Sequence, residues 1–208
     1  MPRDILIATT NPGKLAEIRT VLEGSPASFR TLEDLPGLAE PEETGLTFAD
    51  NAVLKARAYA AMSGMCTVAE DSGLEIDALG GEPGIHSARY PGATYPEKFA
   101  NLYARLAGVP KPWTARFVCA LAVSDPAGAI LFESRGAIEG EIAAAPRGSR
   151  GFGYDPIFFY PPYGKTLGEV EGLEKLAVAH RGKAFRAFRE WIERGAARQS
   201  PTATSAKP

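Results

Sequence analysis

Six consecutive residues, Thr9-Thr10-Asn11-Pro12-Gly13-Lys14, stand between a short apolar run, Ile5-Leu6-Ile7-Ala8, and the start of a helical pattern. Unpaired backbone N–H groups and the positive end of a helix favour an anion such as phosphate at such a place, and Lys14 adds a point charge. The segment is not a Walker A loop, which wants Gly where Ala8 stands and Ser or Thr where Leu15 stands. Read alone, it is equally an ordinary strand-to-helix turn with a solvated lysine. A second group is acidic: Glu70-Asp71-Ser72-Gly73 sets two carboxylates at the mouth of a strand, and Glu42-Glu43 precedes a helix. Carboxylates from separate segments suit Mg²⁺, which takes one or two of them and completes its shell with water and substrate phosphates. Taken singly, each acid reads more simply as part of a solvated turn or a helix start. A third group, Gly151-Phe152-Gly153-Tyr154-Asp155-Pro156, offers rings that stack on a base and an acid that accepts from a ring N–H, or else a turn of the core. Lys175, His180 and Arg181 gather three donors suited to a base carbonyl and phosphate oxygens, or form an exposed helix start.

These groups need elements to hold them. Ile5–Ala8 predicts a strand, and Leu15, Ile18, Val21 and Leu22 predict a helix that Gly24 stops. Ser25 to Gly45 reads as a connection with one strand near Phe29 to Leu32. Thr47 with Asp50 forms a capping box for a helix over Ala52 to Met62, closed by Gly64. Cys66 to Ala69 predicts a strand ending in the polar turn 70–73, with a second strand beyond it through Leu74 and Ile76. Gly80 to Gly92 reads as a loop and Glu97 to Leu106 as a helix. Ala115 to Val123 and Ala129 to Ile142 predict a hairpin around Asp125-Pro126-Ala127-Gly128. Pro146 to Pro162 is loop-rich, and Lys183 to Arg194 predicts the closing helix, with Phe185, Phe188, Trp191 and Ile192 on one face. From Gly195 onward a disordered tail is expected, leaving residues 1–194 as a single domain and 195–208 outside it.

Composition narrows the function class. The chain has 208 residues, 45% hydrophobic and 23% charged, with a formal charge of −2, proportions of an ordinary globular domain rather than a disordered one. With no overall basic field, bulk nucleic-acid binding is not expected. Cys66 and Cys119 show no metal-binding spacing, which fits a reducing cytoplasm better than a disulfide framework. The longest uninterrupted apolar stretch, Phe117 to Val123, is far short of the roughly 18 residues of a membrane span, and no signal-peptide pattern opens the chain. A soluble cytoplasmic protein is the expectation.

In order along the chain come Thr9-Thr10-Asn11 with Gly13-Lys14, Glu43-Thr44-Gly45 with Thr47-Phe48, Asn51-Ala52 and Lys55-Ala56, and Asp71-Ser72-Gly73-Leu74. Pro83-Gly84, Ser87-Ala88-Arg89-Tyr90, Gly153-Tyr154-Asp155-Pro156 and His180-Arg181-Gly182-Lys183-Ala184 follow. Each is weak alone, but the ordered series, from about Ile5 to Trp191, closely resembles the inosine triphosphate pyrophosphatase family, also called Ham1-like or non-standard purine NTP pyrophosphatases. The resemblance implies an elongated α/β fold with a central mixed sheet flanked by helices, two lobes enclosing a nucleotide cleft, and a homodimer. It implies an enzyme that cuts ITP, dITP and XTP, with one Mg²⁺ per subunit, into monophosphate and pyrophosphate, cleansing the nucleotide pool.

Carried onto matching positions, the resemblance makes Thr9, Thr10, Asn11, Pro12, Gly13 and Lys14 the phosphate cradle. Glu43 and Asp71 would hold Mg²⁺, Asp71 would also accept the proton of the attacking water, and Ser72 would touch substrate. Phe152, Gly153, Tyr154 and Asp155 would form the base and ribose wall, completed by Lys175, His180 and Arg181. Three positions depart from the family pattern. Glu70 stands where many members have Asp, Phe152 where some have Trp, and Ala179 where Ser is usual. Two other readings remain at this level: a nucleotide-binding or sensing protein without hydrolysis, and a pyrophosphatase for modified pyrimidine nucleotides.

Overall fold

The computed structural model describes residues 4–199. Strand β1 (Asp4–Ala8) leads into helix α1 (Pro12–Leu22), whose N-cap is Asn11; its side chain accepts from the Lys14 amide. Strand β2 (Ser28–Thr31) follows, then α2 (Phe48–Ser63), which opens on the reciprocal Thr47/Asp50 capping box and closes on left-handed Gly64. Next come β3 (Cys66–Ile76), α3 (Tyr95–Leu106) and the hairpin strands β4 (Thr114–Ser124) and β5 (Ile130–Ile142). Two short strands, β6 (Phe158–Tyr160) and β7 (Lys165–Thr166), precede α4 (Gly172–Val178) and α5 (His180–Gln199).

The strands form one open mixed sheet in the order β2-β1-β3-β4-β5-β6-β7. β1 is parallel to both β2 and β3, and every later pairing is antiparallel. Alternation along the strands sorts the core. Ile5, Ile7, Val68, Cys119, Leu121 and Val123 face α1 and α5, whereas Leu6, Ala8, Ala69, Val118, Ala120 and Ala122 face α2. The far ends of β3 to β5 contribute Leu74, Ile76, Phe117, Ile138 and Ile142 to another cluster that packs on α3, Tyr154 and Phe158.

Five differences from the sequence reading matter. Residues 70–73 are no turn between two strands: β3 runs unbroken through them, in register with β4 from Thr67↔Ser124 to Ile76↔Ala115. Of the turn-like residues, Gly73 admits Ser87, whose hydroxyl accepts from the Leu74 amide at 2.9 Å, into space that a Cβ would fill. The region between residues 146 and 162 is mostly loop but contains β6. Helix α4 was not expected, and α5 starts at His180 rather than Lys183, so Gly182 lies inside a helix. At its other end α5 runs to Gln199, past the Gly195 at which an unstructured tail was expected; the tail's remaining residues, 200–208, lie outside the described residues. Among the described residues no helix is long and apolar enough to cross a membrane.

Candidate active site

The two-residue period of β3 sends its neighbouring acids to opposite faces of the sheet. Asp71 faces α2. There Asn51 donates to its Oδ2 at 3.1 Å, the Ser72 amide donates to Oδ1 at 3.1 Å, and the Lys55 ammonium stands 3.4 Å from Oδ1. Asn51 and Lys55 are one helical turn apart on α2, and so share a face. Lys55 also reaches Glu43 Oε1 at 2.5 Å, and Arg89 takes the other oxygen of Glu43 at 2.8 Å. Burial pushes the Asp71 carboxyl above the ordinary aspartate range, with Glu43 and Glu70 adding to the effect against the pull of Lys55. Glu43 moves the other way: burial opposes its charge, but Lys55 and Arg89 outweigh that and hold it low. Lys55 itself is buried, a cost to its charge that Asp71, Glu70 and Glu43 more than offset.

Glu70 and Ser72 point to the α1/α5 face. The Lys14 ammonium lies 2.8 Å from Glu70 Oε1, and Arg181 Nε lies 3.4 Å from the same oxygen. Arg181, only 2% exposed, donates from Nη1 to Glu17 Oε2 at 2.6 Å and from Nη2 to Ser72 Oγ at 2.8 Å. Glu17 Oε1 then meets Lys175 at 2.8 Å, and Lys175 meets Asp155 Oδ2 at 2.5 Å. The result is a chain of alternating charge, Lys14-Glu70-Arg181-Glu17-Lys175-Asp155, running from the 9–14 loop to the 151–156 loop. Burial alone would raise the Glu70 carboxyl, but Lys14, Arg181 and Lys55 drive it far below the usual range.

The aromatic loop sits on this chain. Phe152 lies under the Lys175 ammonium, 4.8 Å from its ring centre, and 5.5 Å from the Arg181 guanidinium. Its ring also packs against Gly13 so closely that a Cβ there would stand 2.8 Å from Cδ1. Tyr154 is buried, with its hydroxyl donated to the Ser87 carbonyl at 2.8 Å. Asp155 accepts from the Phe152 amide at 2.8 Å as well as from Lys175, so it organises its own loop. His180 stacks on Phe117 at 4.9 Å between ring centres and 18° between planes, and its buried Nδ1 has no hydrogen-bond partner. Burial, reinforced by Arg181, takes its pKa well below the ordinary histidine value, so the ring is neutral.

Most of these groups, though not Asn51 or Glu17, border one cavity of about 260 Å³. Of the residues singled out from sequence, Thr9, Thr10, Asn11, Lys14, Glu43, Asp71, Ser72, Phe152, Gly153, Tyr154, Asp155, Lys175, His180 and Arg181 line it, and so does Glu70. Pro12 and Gly13 do not: Pro12 is the first residue of α1, where its lack of an N–H costs nothing, and Gly13 lies beneath Phe152. Glu42, the partner acid of Glu43, is exposed. The sequence reading assigned no site role to Glu17, Asn51, Lys55 or Arg89. Asn51 and Lys55 carried a signal, being polar residues set into the apolar stripe Phe48, Ala52, Ala56 and Tyr59 of α2.

The donor set bears on a metal. Among the described residues no group of three or more His, Cys, Asp or Glu side chains is arranged to hold one. Glu43 and Asp71, however, already converge on a single cation, the Lys55 ammonium. Two carboxylates beside a polar cavity fit Mg²⁺, whose remaining ligands are water and phosphate.

The Ham1 family profile matches residues 5–191. A dITP/XTP pyrophosphatase of Synechocystis sp. is 47% identical over 181 residues, 87% of this chain and 91% of that protein. One of Geobacillus kaustophilus is 45% identical over 195 residues, covering 92% and 95%. Among solved structures, a HAM1 protein from Coxiella burnetii superposes with a TM-score of 0.85 at 37% identity, covering 92% of this chain and 98% of that one. A nucleoside-triphosphatase / dITP/XTP pyrophosphatase from Mycobacterium abscessus gives 0.72 at 41% identity, covering 89% and 97%.

Proposed function

Because the chain belongs to the Ham1 family, we propose that it is a nucleoside-triphosphate pyrophosphatase acting on the non-standard purine nucleotides ITP, dITP and XTP. The names of its relatives support a nucleotide pyrophosphatase. The observation that carries the reading is the placement of Asp71, a buried carboxylate of raised basicity, across one cavity from the helix-capped 9–14 loop. In this reading Thr9 to Asn11 and Lys14 hold the triphosphate at the N-terminus of α1. Asn51 and the Ser72 amide fix the Asp71 carboxylate so that it takes a proton from the attacking water. The water oxygen bonds to the α-phosphorus, the bond from that phosphorus to the bridging oxygen breaks, and pyrophosphate departs. Glu43 and Asp71 would hold Mg²⁺, which when bound supplies neutralisation of the charge growing on phosphate oxygens. The working unit is a cytoplasmic homodimer with one Mg²⁺ per subunit.

Exclusion of adenine follows from donors; guanine shares the position-six carbonyl, so this pairing does not distinguish it. Hypoxanthine and xanthine carry a carbonyl at position six where adenine carries an amino group. A neutral His180 donates from one ring nitrogen, and Arg181 only donates. Arg181, with no acceptor, suits a carbonyl and leaves an amino group unpaired, and His180 does the same when the nitrogen it presents carries the proton. Phe152 supplies the stacking face. A site built around such pairing rejects the analogue lacking it by about 10⁴-fold.

The test is pyrophosphate release from ITP, dITP, XTP, ATP, GTP and dUTP with and without Mg²⁺, beside Asp71→Asn. Selective, metal-dependent cleavage of the first three, falling by about 10²–10⁴-fold in the variant, is the expected result. Near-wild-type turnover by a folded Asp71→Asn would overturn the assignment of Asp71.

A further inference from the structure

Glu43 and Asp71 bring two negative charges to the cavity edge, and the chain answers them with two positive ones. Lys55 lies between the carboxylates, 2.5 Å from Glu43 Oε1 and 3.4 Å from Asp71 Oδ1, while Arg89 holds Glu43 Oε2 at 2.8 Å. The side chains of Lys55, Glu43 and Asp71 are 10%, 20% and 8% exposed, so water screens them little. On the other side of β3, Glu70 and Glu17 are engaged by Lys14 and Arg181 and lend the site no free negative charge. The carboxylate pair is thus already neutralised by the protein itself. A divalent cation arriving alone would face an ammonium in the gap between its two ligands and leave the cluster with a surplus of two positive charges. A triphosphate removes the surplus and gives the ammonium another partner.

Resting on the pyrophosphatase reading, we propose that Lys55 is a resident counter-ion that keeps the empty site from taking up free divalent metal, so that metal binds productively only together with the polyphosphate. Lys55 is a positioning residue in this scheme: it acts through Glu43 and Asp71. Removing its charge uncouples the two events, because a neutral side chain leaves the carboxylates unpaired until a metal pairs them.

The experiment titrates Mn²⁺ alone into nucleotide-free full-length protein, followed by the electron paramagnetic resonance of free Mn²⁺ and by the melting temperature. Wild type, Lys55→Met, Lys55→Gln and Lys55→Arg are compared, with Mg²⁺-dependent ITP cleavage by wild type run in parallel. Mn²⁺ is expected to bind Lys55→Met and Lys55→Gln about tenfold or more tightly than wild type and to raise their melting temperatures, while Lys55→Arg behaves as wild type. Using two neutral variants keeps the comparison intact if one of them folds poorly. Equal or weaker Mn²⁺ binding by the neutral variants, while wild type still shows metal-dependent cleavage, would overturn the counter-ion role and leave the pyrophosphatase reading standing. Absence of metal-dependent cleavage by wild type would overturn that reading, and the inference with it.

Discussion

Arg181 is as deeply buried as the phenylalanines around it, and a charge at that depth is tolerated because Glu17, Glu70 and Ser72 each meet one of its nitrogens. Glu17 pairs two deeply buried cations at once, Arg181 and Lys175. Glu17→Gln should destabilise the fold by about 3 kcal/mol in urea denaturation. The same change at Glu193, a half-exposed partner of Arg189 on α5, should leave the curve where it was. Glu70 gives a pH prediction. Its carboxyl ionises far below its ordinary value in the folded state, so its stabilisation is fully present above the unfolded pKa of about 4.3 and is lost as pH falls through the folded value. Stability measured from pH 5 downward should fall in wild type and fall less steeply in Glu70→Gln. Glu17 was hidden from sequence inspection because an acid in the middle of an amphipathic helix looks solvated; only the fold brings it to residues 175 and 181.

At the scale of elements, the helices with side-chain caps were legible, and α4, which has no such cap, was not. Asn11, the Thr47/Asp50 box and Gly64 mark α1 and α2 because local hydrogen bonds decide their ends. Residues 70–73 have turn chemistry, yet ten ladder pairs with β4 hold them extended: tertiary pairing overrides a local preference. Likewise Gly182 reads as a helix breaker, but its missing side chain lets α5 pass the Leu176 carbonyl, and α4 is too short to show a period. The same logic applies at Gly136 in β5, where a methyl group would overlap the His180 carbonyl and crowd the Ala184 amide. Gly136→Ala should cost about 1–3 kcal/mol of stability. Because the first turn of α5 carries His180 and Arg181, it should also raise KM for ITP more than it lowers kcat. An unchanged KM would show that the turn tolerates the shift.

For the whole molecule, the sheet is continuous while its core clusters are distinct, one set around β1 with α1, α2 and α5 and another around α3 and the far ends of β3 to β5. The cavity draws on both, taking Lys14 and Asp71 from one side and Tyr95 and Tyr154 from the other. A bound nucleotide would tie them together. With Mg²⁺ and a non-hydrolysable α,β-methylene ITP at a hundred times its Kd, stability should rise by about 2.7 kcal/mol. Amide exchange should slow both in residues 9–14 and in residues 152–155. Slowing confined to one of these segments would mean that the ligand does not span the cavity. A central mixed sheet was expected from the ordered motifs, whereas the charge chain that joins the two loops was not, because its six members are spread from residue 14 to residue 181 and no local pattern links them.

That chain also constrains how the pocket can change over generations. Each interior member of Lys14-Glu70-Arg181-Glu17-Lys175-Asp155 is matched on both sides, so replacing one charge strands its neighbours. A lineage that drifted toward another base would have to alter these positions in compensating pairs, through intermediates less stable than either end. The wall of the pocket is freer to vary where it carries no charge, as at Ile85, and is locked where it is ionic.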